Sequence, residues 1–427
     1  MSGLISKSSL LLLLFELGFG IKFHIVGEIS ISELFLLVYV PFFVLPKVNW
    51  KSAKEFRLLS VAYLFLFVFQ VISEYIVGNV LSNALRGLAI TAVSYLHFMF
   101  LTYLLIKQKS LILVLIFSQI VMMLLFGTSF EEQSFEKIME GEAAVYLKFY
   151  IAPLTILVFL FASIIFFYYK NCALLFSLLG CFFILLGARS SGGIALATGL
   201  ITYMLEHRAF IKNRKKLWLS FAAVCVLGYV FYIYYVNQVL SGIIISGNSR
   251  QLFLCENPYN PLELLMAGRS EMWVGWQAFM DKFWFGHGAW PYDSTGKYQR
   301  MMYAMHDDLR SRPFDLHFLI PSHSVLVGSG MMNGIFAFVA MAYILFFFVK
   351  QGVLSFLRCE RRYKLVLVYY VIFLLWTAFF SPQSHFRLSM PIAFAIIFVI
   401  HASIRTGIKH KNTMQPSQPD DGCIVGR

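Results

Sequence analysis

Stretches of about 20 consecutive apolar residues recur along the whole chain, and they constrain its fold more than any other feature. A helix needs about 20 such residues to cross the hydrocarbon core of a bilayer. Of the 427 residues, 59% are hydrophobic and 13% charged, whereas soluble domains carry roughly 45–50% apolar and 25% charged residues. The stretches are continuously apolar rather than alternating, which argues against a β-barrel. The sequence therefore predicts an all-α, polytopic membrane protein.

The apolar pattern predicts about twelve transmembrane helices. Charged residues interrupt some of these spans: Glu16 and Lys22 lie in the first, and Arg189 lies within the pair at 172–206. The predicted spans are 9–26, 31–46, 58–75, 85–106, 110–127, 147–168, 172–188, 191–206, 217–238, 324–349, 363–380 and 388–404. Alternate loops are basic, such as "KVNWKSAKEFR" and "KQGVLSFLRCERRYK", whereas the others are poor in Lys and Arg, and "SFEEQSFEKIMEGE" is acidic. Because basic loops stay in the cytoplasm, both termini are predicted to be cytoplasmic.

The net charge of +13 does not indicate nucleic-acid binding. The basic residues lie in short loops between apolar runs, as the positive-inside rule requires. The six cysteines are scattered, with no CxxC pair and no ligand-like spacing, so we expect neither a disulfide framework nor a zinc site. Asp307 and Asp308, in "MHDDLR", lack convergent partners, and a solvated loop is favoured over a metal site. We therefore predict no metal and no other cofactor.

One loop is far longer than a connection needs. We predict transmembrane helices 1–9 within residues 1–238, a large outer loop at 239–322, transmembrane helices 10–12 within 323–405, and a disordered cytoplasmic tail at 406–427. Structureless loops longer than about 12–15 residues are usually functional. Within this loop, "AGRSEMWVGWQAFMDKFWFGHG" has apolar residues at helical spacing. It predicts an amphipathic helix along the membrane surface that ends at Gly286. Packing against the rest of the protein alone also explains this apolar spacing.

Basic residues converge on the outer face under this topology. Arg189 lies at the turn between spans seven and eight, Arg269 directly precedes the surface helix, and His323 lies where the large loop re-enters the membrane. Guanidinium groups offer a rigid fork of donors to phosphate oxygens. An imidazole titrates near neutral pH and can take a proton from a hydroxyl. Arg387 and His287 are weaker candidates for the same site.

Each of these residues also has a simpler interpretation. Arg189 can reach the interface along its side chain or pair with a carboxylate. Arg269 can be an ordinary surface arginine at a helix end, and His323 a hydrogen-bonded interfacial histidine. The small residues in "SSGGIALATG" and "GSGMMNG" allow close packing of helices, which is the favoured interpretation. They also suit a lipid chain or a re-entrant break near Arg189.

Three segments occur in a particular order. They are "LLGARSSGGIALATGL", "GRSEMWVGWQAFMDKFWFGHG" and "SHSVLVGSGMMNGIFAFVAMAYILF". Over roughly residues 175–350, this order and the one large outer loop resemble the O-antigen ligase/polymerase superfamily, which includes Wzy-type polysaccharide polymerases and WaaL-type ligases. The chain departs from the family at two positions. Ala188 precedes the first arginine where Ser or Gly is common, and Ser324 follows the histidine where Asn is frequent.

The resemblance implies a GT-C-type membrane glycosyltransferase of the bacterial inner membrane, with a metal-independent, inverting reaction at the periplasmic face. Its donor would be a glycan on undecaprenyl pyrophosphate, and the hydroxyl of an acceptor glycolipid would displace the lipid pyrophosphate. Arg189 and Arg269 match the family arginines expected to bind the pyrophosphate. His323 matches the histidine expected to orient or deprotonate the acceptor. A chain-length regulator is a candidate partner protein.

The chemistry leaves the acceptor open. A repeat-unit polymerase is favoured because the aromatic large loop suits stacking on sugar rings, and an O-antigen ligase that transfers the glycan to lipid A-core is the alternative. A transporter or lipid flippase is the alternative from another class of protein. Such a protein would carry charges deep in several spans and a two-fold repeat of broken helices, whereas this sequence shows only scattered intramembrane charges.

Overall fold

The computed structural model describes residues 6–24, 27–47, 54–127, 145–169, 171–207, 214–243, 250–253, 255–305, 315 and 317–413. These residues are mostly helical. The helices are α1 (Lys7–Leu17), α2 (Ile31–Tyr39), α3 (Lys54–Val77), α4 (Leu81–Lys107), α5 (Leu111–Phe126), α6 (Ala152–Ile165), α7 (Cys172–Leu185), α8 (Arg189–Glu206), α9 (Arg214–Leu240), α10 (Arg250–Phe253), α11 (Pro261–Ala267), α12 (Ser270–Asp281), α13 (Lys297–Met305), α14 (Val325–Ser355), α15 (Arg361–Phe380), α16 (Ser384–Arg387) and α17 (Met390–Thr413).

Five helical segments within the described part of the chain are long and apolar enough to cross a membrane. They are α3, α4, Leu147–Ile165, α14 and α15. The shorter apolar helices are α5, α7 and the Met390–Arg405 part of α17. The prediction of an all-α membrane protein is confirmed at this level, and the count of twelve spans stays a prediction. Residues 406–413 of the predicted tail are helical, whereas its remainder and the acidic loop at 129–142 lie outside the described residues.

The N-terminal region differs from its prediction. Helix α1 ends at Leu17, and a two-stranded antiparallel sheet follows, formed by β1 (Lys22–His24) and β2 (Glu28–Ser30). The predicted first span, 9–26, is therefore wrong in its extent. Gly27 has a φ of 119° and forms part of the turn between the strands, a conformation that favours glycine. A capping box between Ser30 and Glu33 then begins α2.

The second predicted span, 31–46, is helical but not one regular helix. After α2, a π-helical turn covers Val40–Val44, and a 3₁₀ turn covers Leu45–Lys47. Pro41 lies at the start of the π-helical turn. Because proline has no backbone N–H, it removes one α-helical hydrogen bond and favours such a change of winding.

The core lies where α3, α4, α14, α15 and α17 pack together. Aromatic rings from three of these helices meet at its centre. The ring of Phe348 is stacked on that of Phe394, with centroids 4.1 Å apart, and contacts Phe98 edge-on at 5.3 Å. All three side chains are fully buried. These contacts fix α4, α14 and α17 relative to one another.

Helices α7 and α8 form a tight antiparallel pair. A Cβ atom placed on Gly192 would lie 2.7 Å from the carbonyl oxygen of Gly180 on the facing helix. A Cβ on Gly199 would collide in the same way with the Ala173–Ser177 turn. The "SSGGIALATG" stretch therefore serves close helix packing, as favoured from the sequence.

Helix α14 is broken at Gly334, whose φ is 79° and ψ −172°. Backbone atoms of residues 283–288 fill the break. The N–H of His287 donates to the carbonyl of Met331 at 2.9 Å, and that of Gly288 to Met332 at 2.7 Å. The N–H of Ile335 donates to Phe283 at 2.8 Å. The inserted segment, residues 283–288, thus replaces the hydrogen bonds that the helix loses.

Candidate active site

Helices α8 and α15 pack in opposite directions. At one end of the pair, Arg361 Nε lies 3.5 Å from Glu206 Oε1, which joins the start of α15 to the end of α8. At the opposite end, α8 begins at Arg189 and α15 ends at Phe380. We call this opposite end the Arg189 end of the bundle. Residues at the last turn of α15 therefore lie at the same level as the first turn of α8.

Arg189 is the first residue of α8, directly after a turn in which Gly187 has a φ of 96°. Its Nη2 donates to the hydroxyl of Tyr235 on α9, and its guanidinium carbon lies 5.3 Å from the centre of the same ring. No carboxylate within the described part of the chain lies within ion-pair distance of Arg189. Tyr235 therefore positions the guanidinium without neutralising its charge.

Arg269 directly precedes α12 and lies against two aromatic rings at the end of α15. Its guanidinium carbon is 5.4 Å from the ring centres of both Trp376 and Phe380. These two residues are one helical turn apart, and their centroids are 4.8 Å apart. Both belong to the final turns of α15, so Arg269 lies at the Arg189 end of the bundle. Cation–π contact of this kind orients a guanidinium.

His323 lies beside the same turn of α15. The next residue, Ser324, caps α14 by accepting a hydrogen bond from the N–H of Val327, and its hydroxyl donates to the carbonyl of Ala378 at 2.8 Å. Helix α12 packs tightly against this segment, since a Cβ on Gly275 would lie 3.2 Å from the carbonyl oxygen of Pro321. These contacts bring the segments that carry Arg269 and His323 together.

One nitrogen of the His323 imidazole has no protein partner in the described part of the chain. Its Nδ1 is buried and has no hydrogen-bond partner within the described residues. An imidazole nitrogen that no protein group occupies can bind a substrate hydroxyl. The structure thus brings Arg189, Arg269 and His323 to one end of the bundle.

His385 is a neighbour of His323. It lies in the short helix α16, and its Nδ1 is 2.9 Å from the hydroxyl of Ser389. Burial, together with repulsion from His323, lowers the pKa of His385 to about 4. His385 is therefore neutral at physiological pH. No sequence motif distinguishes His385, because its position next to His323 depends on the packing of α16 beside the start of α14.

Arg387, a weaker candidate, is bound within the fold. Its Nε and Nη2 both donate to the carboxylate of Glu33 on α2, the second at 2.5 Å, and Nη2 also donates to the carbonyl of Glu28 at 2.8 Å. Glu33 is fully buried. The structure therefore assigns this arginine an internal ion pair that ties α16 to the N-terminal region.

His287, the other weaker candidate, lies in the inserted segment. Its Nε2 is 2.9 Å from the carbonyl of Ala278, and its ring contacts Tyr298 edge-on. Tyr298 donates to Asp281 at 2.7 Å. Burial lowers the pKa of His287, although the hydrogen bond to Ala278 opposes the shift. The structure therefore places His287 in the packing between α12 and α13, apart from Arg269 and the two rings that Arg269 contacts.

Helix α12 has two apolar faces. Val274, Gly275, Ala278 and Phe279 are buried against α14 and the segment before His323. The opposite face exposes aromatic and aliphatic side chains, up to 61% for Trp284 just beyond the helix. The members of this exposed aromatic face are Trp273, Trp276, Met280 and Trp284. Tryptophan is enriched at membrane interfaces, so this face suits contact with lipid.

The predicted end of this helix, at Gly286, is wrong. Helix α12 ends at Asp281, and Lys282 already has non-helical angles, with a φ of −128°. The residues that follow leave the helical path because they enter the break in α14, where Gly286 contacts the backbone of Met332. A sequence pattern records the apolar spacing but not this tertiary insertion.

Comparison with known proteins adds no family assignment. Neither the protein-family models nor the curated proteins match this chain. Within the described residues, no group of three His, Cys, Asp or Glu side chains is arranged to hold a metal ion. His306, Asp307 and Asp308 lie outside the described residues. The resemblance to the O-antigen ligase/polymerase superfamily therefore stays a prediction from the three ordered motifs.

Proposed function

We propose that the protein is a membrane glycosyltransferase of the bacterial inner membrane that moves a glycan from undecaprenyl pyrophosphate to an acceptor hydroxyl at the periplasmic face. The observation that carries the proposal is the position of Arg189, Arg269 and His323 at one end of the α8–α15 pair. Two cations and one imidazole nitrogen without a partner in the described residues suit transfer from a lipid pyrophosphate.

The chemistry follows from the charges. The acceptor oxygen forms a bond to the anomeric carbon from the side opposite the pyrophosphate, and the carbon–oxygen bond to the leaving phosphate breaks with inversion. Negative charge grows on the pyrophosphate, which departs with its lipid, and Arg189 and Arg269 stabilise it electrostatically. His323 accepts the proton of the attacking hydroxyl at its free Nδ1. The reaction therefore requires no redox step.

The environment of the two arginines supports the proposal. Ring faces of Tyr235, Trp376 and Phe380 contact the guanidinium groups, and no carboxylate within the described residues forms an ion pair with Arg189. The exposed aromatic face of α12 begins at Trp273, one helical turn after Arg269. A lipid carrier that approaches along this face would bring its phosphate groups to the guanidiniums.

Repeat-unit polymerase is the favoured activity, and ligation to lipid A-core is the alternative. Both use the same donor and differ in the acceptor. Exposed rings in the large loop, among them Trp290 and Tyr292, suit stacking on sugar rings. In a strain that lacks this protein, loss of polymer with a single capped repeat would support polymerase, and loss of capping would support ligase.

A transporter is a second candidate function, favoured by one observation. Transporters form ion and substrate sites at broken transmembrane helices, and α14 is broken at Gly334. Transport of the lipid-linked glycan without transfer would leave the donor intact on both sides of the membrane. Measuring donor consumption in vesicles separates the two functions.

The direct test replaces Arg189, Arg269 and His323 singly with Ala in the purified full-length protein. We expect glycan transfer from the lipid-linked donor to fall by about 10²–10³-fold in each variant, as for other electrostatic stabilisers of a transition state. Arg300→Ala is the matched control, because Arg300 is exposed on the same large loop and donates to the carbonyl of Thr295. Full activity in all three variants at normal protein levels would contradict the proposal.

A further inference from the structure

A small polar cavity lies where α14 is broken. Its volume is about 10 Å³, close to the space that one water molecule or one small ion occupies. Its walls come from α3, α4, α14, the segment before α16 and the residue that follows the inserted segment. The lining includes Gln70, Gly87, Ala289, Ser329, Asn333 and Gln383. Five separate parts of the chain therefore meet around a single small space.

Three of the side chains that line the cavity have oxygens without a partner. Gln70 Oε1, Ser329 Oγ and Asn333 Oδ1 are buried and have no hydrogen-bond partner within the described residues. The three side chains are only 7%, 2% and 5% exposed. Buried polar groups in native proteins are almost always satisfied by protein, water or an ion. Three acceptors around one small cavity therefore indicate a bound group.

A buried carboxylate lies behind the wall of this cavity. Glu74 Oε1 accepts a hydrogen bond from the N–H of Ala289 at 2.7 Å, and Oε2 accepts from Asn79 Nδ2 at 2.6 Å. A Cβ on Gly87, which lines the cavity, would lie 3.6 Å from Glu74 Oε1.

The donors to Glu74 are neutral, and no Lys, Arg or His within the described part of the chain forms an ion pair with it. A buried charge requires compensation. A neutral water molecule in the cavity does not supply it, whereas a cation does.

We propose that this cavity binds a sodium ion, with Gln70, Ser329 and Asn333 as ligands and Glu74 as the counter-charge behind them. The donor atoms are all oxygens, which hard cations prefer. They are neutral, and the nearest carboxylate is engaged in two hydrogen bonds, so a monovalent ion fits better than a divalent one. The ion would tie α3 to the part of α14 that precedes the break at Gly334.

Thermal unfolding of the purified full-length protein tests the site. The melting temperature is measured at constant ionic strength in NaCl, KCl, LiCl and choline chloride. Because a ligand that binds only the folded state stabilises it by mass action, we expect Na⁺ to raise the melting temperature by about 2–8 °C over choline. The increase should saturate as the Na⁺ concentration rises.

Variants locate the effect. Ser329→Ala and Asn333→Ala each remove one ligand, and we expect the Na⁺-dependent increase to disappear in both. Thr102→Val is the matched control, since Thr102 is another buried hydroxyl without a partner but lies outside the cavity. It should keep the full Na⁺ response.

Binding of radioactive Na⁺ to the unmodified protein provides a second measurement that does not depend on variants that fold poorly. We expect one ion per chain, displaced by unlabelled Na⁺ and weakened by Glu74→Gln. Equal melting temperatures in Na⁺ and choline together with no bound radioactive ion would show that water occupies the cavity, and would overturn the proposal. A Na⁺ effect that persists in the Ser329→Ala/Asn333→Ala double variant would overturn it too. Neither readout depends on glycan transfer.

Discussion

Two arginines at the same end of the bundle are held in opposite ways. Arg387 donates to both carboxylate oxygens of the buried Glu33, so its charge is neutralised within the fold. Arg189 contacts the hydroxyl and ring of Tyr235, and its charge stays available to an anion. The comparison separates an arginine that stabilises the protein from one that can bind a ligand. The sequence alone does not distinguish them, because both are arginines in predicted outer loops or turns.

The largest expected effect is on stability. Arg387→Met leaves the carboxylate of Glu33 buried without its cation, and we expect the free energy of unfolding to fall by about 3–5 kcal/mol. Chemical denaturation in detergent measures it. Arg189→Met is the matched change at the other arginine and should alter stability much less. Equal losses in the two variants would remove the distinction between the two arginines.

The next effect is on activity. Arg189→Lys keeps the charge but loses the planar fork that contacts two phosphate oxygens at once. We expect kcat/KM for the lipid-linked donor to fall about 10²-fold, close to 2.7 kcal/mol in transition-state stabilisation. Steady-state transfer assays measure the change. Unaltered kinetics would show that a point charge suffices at this position.

A smaller effect is expected from the two rings that contact Arg269, those of Trp376 and Phe380. Trp376→Leu keeps an apolar side chain but removes one ring that lies 5.4 Å from the guanidinium carbon. Loss of a cation–π contact corresponds to about 0.5–2 kcal/mol, or roughly a 2–30-fold decrease in kcat/KM. Trp376→Phe should restore most of the activity. A leucine variant with full activity would limit Trp376 to a packing role.

The smallest effect concerns His287, which is held by a carbonyl in its neutral form. Burial lowers the pKa of His287, so below the ordinary value of about 6.5 the unfolded segment binds a proton that the folded one excludes. Stability must therefore decrease as the pH falls. We expect a loss of up to about 1 kcal/mol between pH 7 and pH 5.5.

Hydrogen exchange of the segment around His287 measures this loss, and His287→Gln should remove it. Asp281 adds a separate effect at lower pH. Burial raises the pKa of Asp281, but hydrogen bonds from Lys297, Tyr298 and Gln277 outweigh burial and lower it overall. Its stabilising effect is therefore lost only below about pH 3.8, the ordinary range of an aspartate. A loss at higher pH that survives in His287→Gln would point to another group.

The long apolar runs could be predicted because burial in lipid leaves a strong compositional signal. The predicted span 363–380 corresponds to α15 within two residues. The end of α1 could not be predicted in this way, because an apolar run continues through the turn at Gly18 and Gly20. The break at Gly334 depends on the inserted segment, and apolar periodicity carries no information about it.

The same distinction applies to the site residues. The motifs indicate Arg189, Arg269 and His323, but their common position follows from the antiparallel packing of α8 and α15. The pairing of Arg387 with Glu33 joins residues 354 positions apart, so the sequence alone offers no sign of it. Gln70, Ser329 and Asn333 are single polar residues within apolar runs, and only the structure brings their oxygens to one cavity.

The short helix α7 has a consequence for the surrounding bilayer. Its 14 residues extend about 21 Å, less than the roughly 30 Å of hydrocarbon in a typical membrane. Lipids beside a short hydrophobic segment compress to match it. The turn that follows α7 leads directly to Arg189, so the bilayer is expected to form a shallow depression beside that residue. Polar headgroups and water could descend there to the depth of the guanidinium without crossing intact hydrocarbon.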